Sequence, residues 1–127
     1  MRRLALALAL LTAPAQASEA QVMIRCGGFF AGASAYLQVA VNEGDAIAAA
    51  ARDAAVLKYS LIRQVAERRD PELGKVVAEV ARREGEALTA LADGKDGAAW
   101  KARIDGLLRR SDGCEALVAR LRAEGAE

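Results

Sequence analysis

The stretch from Asp45 to Ala92, DAIAAAARDAAVLKYSLIRQVAERRDPELGKVVAEVARREGEALTALA, decides the fold. Ile47, Ala50, Ala54, Leu57, Leu61 and Val65 recur at helical spacing, and Leu73, Val76, Val77, Val80, Ala87, Leu88 and Leu91 repeat the pattern further on. Each set predicts an amphipathic core helix, one from Asp45 to Arg69 and one from Pro71 to Ala92. Asp70-Pro71 separates them. The Asp carboxylate can accept a bond from an orphan amide, and Pro in the first helical position gives up no donor that the helix needs.

Folding the two helices back about Asp70-Pro71 places residues at equal distances from the turn side by side. At 100° per residue, Lys58 falls near the middle of the first apolar stripe and Glu84 near the middle of the second. The two lie about equally far from the turn. Two readings follow: an ion pair enclosed by the core, specifying register more than adding stability, or two side chains that snorkel to its edge.

Moving outward, the breaks at Glu43-Gly44-Asp45, Asp93-Gly94-Lys95-Asp96-Gly97 and Ser111-Asp112-Gly113 predict further helices over Ser18–Glu43, Ala98–Arg110 and Cys114–Ala123. Asp112 and Glu115 have an approximate capping-box spacing. Trp100, Ile104, Leu107 and Leu108 supply the fourth helix with an apolar stripe, and Leu117, Val118 and Leu121 supply the last. No segment reads as a strand. The fold class is therefore all-α, a small bundle of four or five helices.

The first helix differs from the rest, because Cys26 to Val41 contains no charged residue. A helix apolar on all sides is surrounded by protein or by lipid. Residues 22–41 have membrane-like length and include a G-x-x-x-G spacing at Gly28 and Gly32. Arg25, Gln38, Ser34 and several Gly and Ala dilute the stretch, which favours a central helix whose small residues let neighbouring backbones approach. Phe29, Phe30, Tyr36 and Leu37 would fill the gaps.

Residues 1–17 have the layout of a secretory signal peptide: Arg2-Arg3, an apolar run from Leu4 to Leu11, and Ala15-Gln16-Ala17 as the cleavage site. Pro14 interrupts the run long before it could span a bilayer. Removal of the leader leaves one domain, residues 18–127, with 16 basic and 17 acidic side chains. It also places Cys26 and Cys114 in an oxidising compartment, where two cysteines of a small domain pair. Such a crosslink would tie the first helix to the last.

Composition narrows the function. There is no His among 127 residues, which removes His-based triads, His metal sites and c-type haem attachment. Balanced charge, without aromatics interleaved among the Arg doublets 68–69, 82–83 and 109–110, argues against nucleic acid. Nothing points to a metal or another cofactor, and no carboxylate pair is marked as acid and base. Of the 127 residues, 31 are Ala, and the 110 beyond Ala17 hold only 27 Leu, Val, Ile, Phe, Met and Trp, so the core is modest. The expectation is a periplasmic or secreted, disulfide-stapled helical protein that works by binding an envelope protein, as accessory subunit, inhibitor or holdase-like factor. The alternatives are a membrane-associated envelope component using residues 22–41 and an enzyme with a polar site at Lys58 and Glu84.

Overall fold

Ser18 opens the first helix with a complete capping box: its hydroxyl accepts the Gln21 amide, and the Gln21 side chain accepts the Ser18 amide in return. The computed structural model describes residues 18–94 and 96–125, so the leader expected at residues 1–17 lies outside the described residues. Among the described residues five helices follow in order: α1 (Glu19–Asn42), α2 (Ala46–Arg69), α3 (Pro71–Gly94), α4 (Gly97–Arg109) and α5 (Cys114–Ala123). There is no strand among the described residues. Asp45 caps α2 by accepting from the amides of Ile47 and Ala48, and Asp96 caps α4 by accepting from Ala99. Asp70 ends α2 in extended backbone, and its carboxylate accepts from Glu72 at the start of α3.

All four other helices pack against α1. Glycine sets how close they come. A Cβ on Gly27 would sit 2.9 Å from Val77 of α3 and in contact with Ile62 and Tyr59 of α2, so α1 is wedged into the α2–α3 hairpin. A Cβ on Gly32 would sit 2.8 Å from Leu107, which lets α4 lie directly on α1. Buried Met23, Cys26 and Phe30 of α1 meet Ile62, Val65 and Ala66 of α2, Val77 of α3, and Leu117, Val118 and Leu121 of α5 in one apolar cluster.

That cluster occupies only the first half of α1. From Ala33 to Asn42 no residue is buried, although the segment lacks charge. The bundle therefore closes around the end nearest the disulfide and opens towards the α1–α2 turn. No helix among the described residues is long and apolar enough to cross a membrane.

The stripe expected on α2 is only half covered. Leu61 and Val65 are buried, but Ile47 is 85% exposed and Leu57 65%, with Ala50 and Ala54 exposed between them. The core takes the neighbouring line of Ala48, Ala55, Ile62 and Ala66 instead. Both lines are apolar, and the narrower alanine line allows α2 to lie close against α1. On α4, Leu107 is buried as expected while Leu108 is 60% exposed.

Candidate functional site

Glu84, in the middle of α3, is the one buried charged residue among the described residues, at 6% exposure. It faces α1 where Gly28 leaves room; a Cβ there would lie 3.8 Å from the Glu84 side chain. Its two carboxylate oxygens pair with two guanidinium groups, Oε2 with Arg103 and Oε1 with Arg110. Arg103 and Arg110 are seven residues apart and so project from one face of α4. Leu107 lies between them on that face and is buried. Arg110 also donates from Nε to the Gly106 carbonyl, which holds its side chain across the end of the helix. With a guanidinium beside each oxygen the carboxylate clamps α3 to α4, although Oε1 meets Arg110 as an ion pair only and the buried Nε of Arg103 has no hydrogen-bond acceptor among the described residues.

Lys58 lies elsewhere. Its ammonium donates to Glu115 of α5 at 2.8 Å and stands 5.6 Å from the centre of the Phe30 ring. The structure thus does not bring Lys58 and Glu84 together, in contrast to the core ion pair considered from the sequence. The reason is α1: lodged between α2 and α3, it separates the two faces that a bare hairpin would juxtapose. Each group then takes a partner from the helix laid over it, α5 for Lys58 and α4 for Glu84. Sequence reasoning missed Arg103, Arg110 and Glu115. The i, i+7 spacing of Arg103 and Arg110 about Leu107 was the available signal.

Cys26 and Cys114 are brought together at disulfide distance, with Cα atoms 5.3 Å apart across 88 residues of chain. A bridge there fixes α5 against α1, beside the Lys58–Glu115 pair. At the far end of α5, Arg69 of α2 binds both Glu19 of α1 and Glu124. Hydrogen bonding from Arg69, aided by the charge of Arg120, holds the Glu19 carboxyl below its usual value. The Arg82-Arg83 doublet forms exposed pairs with Glu79 and Glu86.

The surface carries two features that the sequence does not explain by folding alone. A cleft of about 310 Å³ lies between the end of α1 and the start of α4, where the Tyr36 and Trp100 rings stack with centroids 5.8 Å apart. Along the upper half of α2, Ile47, Ala50, Ala54 and Leu57 form an exposed apolar seam with 3-4-3 spacing. This is the a/d spacing of a helix that packs against another helix. The same seam continues into Leu61 and Val65, which are buried. It stays uncovered above them because α5 has only 10 residues and joins α2 at the level of Lys58.

Among the described residues no three His, Cys, Asp or Glu side chains are grouped to hold a metal ion. No family model, curated protein or solved structure matches the chain.

Proposed function

We propose that the chain is a small exported helical protein, periplasmic or secreted, that works by binding protein through the upper half of α2. The observation that carries this reading is the exposure of Ile47 and Leu57 on a seam whose lower half is buried. A seam at a/d spacing that its own fold leaves open presents apolar surface to water and gains by receiving a second helix. The accessory subunit, the inhibitor and the holdase-like factor all work through such a surface. Export is supported by the leader pattern of residues 1–17 and by the pairing of Cys26 with Cys114.

The test places a photo-crosslinking side chain at Ala54 and captures protein from native envelope extract. A discrete adduct that disappears in Leu57→Asp supports the reading. Failure to form any adduct contradicts it.

A further inference from the structure

The cleft between the end of α1 and the start of α4 joins an aromatic wall to negative charge. The stacked rings of Tyr36 and Trp100 form the wall, with Val39 and Leu91 beside them, and the charged side chains are Glu43 and Asp96. Among the described residues no Lys or Arg lines it. The backbone adds to this charge. Val39 lies in the last turn of α1, which Glu43 caps, and Leu91 in the last turn of α3, so two helix C-termini meet at the cleft with the negative ends of their dipoles. Neither helix has a basic residue in its last turn. The other three do: Arg68 and Arg69 in α2, Arg109 in α4, Arg120 and Arg122 in α5. The positive end of α4 also reaches the cleft, at Gly97, but Asp96 caps it through Oδ1. Lys95, which follows α3, lies outside the described residues.

We propose that this cleft binds a small organic cation, a protonated primary amine carried on a short apolar body. The two rings take the body by apolar contact and attract the ammonium through their faces. The Glu43 and Asp96 carboxylates accept its hydrogen bonds, which are strengthened by charge on both sides. An anion would meet two carboxylates and two negative helix ends, and a neutral molecule would leave that charge unanswered. The volume of about 310 Å³ is at the small end of ligand pockets, which suits a body of one ring or a short chain. The cleft shares no residue with the α2 seam, so the proposal does not depend on protein binding there.

Trp100 is the one tryptophan of the chain, so its fluorescence reports the cleft directly. Titrating the purified, oxidised protein with phenethylammonium should change that emission with a Kd on the order of 1 mM, as befits so small a ligand. Phenethyl alcohol and hydrocinnamate keep the ring but lose the positive charge, and should bind about tenfold more weakly or worse. Glu43→Gln/Asp96→Asn should weaken the amine by about tenfold or more. Asn still caps a helix, and unchanged thermal unfolding would confirm an intact bundle. Glu72→Gln, at the other end of α3, should bind as the wild type does, and Lys95→Ala, which removes the cation next to Asp96, should bind at least as well. The proposal is overturned by an emission that does not respond to the amine up to about 10 mM, roughly ten times the expected Kd. Equal binding of the alcohol, full binding by Glu43→Gln/Asp96→Asn, an equal loss in Glu72→Gln, or weaker binding in Lys95→Ala would each overturn it as well.

Discussion

Arg110, the residue that caps α4, reaches back to the Glu84 carboxylate on α3. Arg103, two turns earlier on the same face, takes the other oxygen. A single buried acid thus docks the whole of α4, a helix that otherwise offers only Leu107 as a buried residue. Glu84→Gln should destabilise the protein by roughly 1–3 kcal/mol, less than the 3–5 typical of a fully buried pair because both guanidinium groups reach solvent. In urea unfolding, Glu84→Gln and Arg103→Gln should be non-additive. Additive losses would mean that the two residues act separately.

The bridge between Cys26 and Cys114 closes most of the described chain into one loop. In the chain-entropy view a loop of that length contributes about 4–5 kcal/mol, comparable with the whole stability of a small domain. Reductant should therefore lower the melting temperature sharply and broaden the transition. Identical melts with and without reductant would show that the bundle holds without it.

Two glycines of the long helices should respond in opposite ways to alanine. At Gly32 the added methyl meets Cδ1 of the buried Leu107 at 2.8 Å, so that side chain or α4 must shift, and Gly32→Ala should destabilise by about 1–3 kcal/mol despite better helix propensity. At Gly85 nothing lies within 4 Å of a Cβ, and Gly85→Ala should stabilise by about 0.5–1 kcal/mol. Thermal melts of the two variants read both signs.

Acid should weaken the surface ion pairs in a defined window. Hydrogen bonds from Arg82 and then Arg83 pull the Glu79 carboxyl from 4.5 to about 2. Between those values the unfolded chain binds more protons at this position than the folded one, so the contribution is present above pH 4.5 and is lost as pH falls towards 2. The pairs are exposed, so the effect is small and is screened by salt. Stability measured against pH at low ionic strength should fall less steeply in Glu79→Gln than in the wild type across this window. An unchanged slope would count against the pairing.

Helix boundaries were legible because their signals are local. Asp70-Pro71 divides α2 from α3, and Asp45 and Asp96 cap helices through bonds two and three residues away. The cysteine pairing was legible from the count of two and from the export expected of the leader pattern. The facing of α2 was not, because its alanines form two adjacent apolar lines and the choice between them depends on how closely Gly27 admits α2 and α3 to α1. The partners of Lys58 and Glu84 were hidden for a related reason. Register about the Asp70-Pro71 turn describes two helices, whereas α1 between them and α4 and α5 over them decide which charges meet. Hence Glu84 stood out from its place in an apolar stripe, while Arg103, Arg110 and Glu115 looked like ordinary surface residues.

Site-specific photo-crosslinking compares the open seam with another exposed apolar position. A photoreactive side chain placed in turn at Ala54 of α2 and at Val76 of α3, which is also exposed, should yield a discrete protein adduct from Ala54 and none from Val76. Adducts formed equally from both positions, or from neither, would contradict binding through α2.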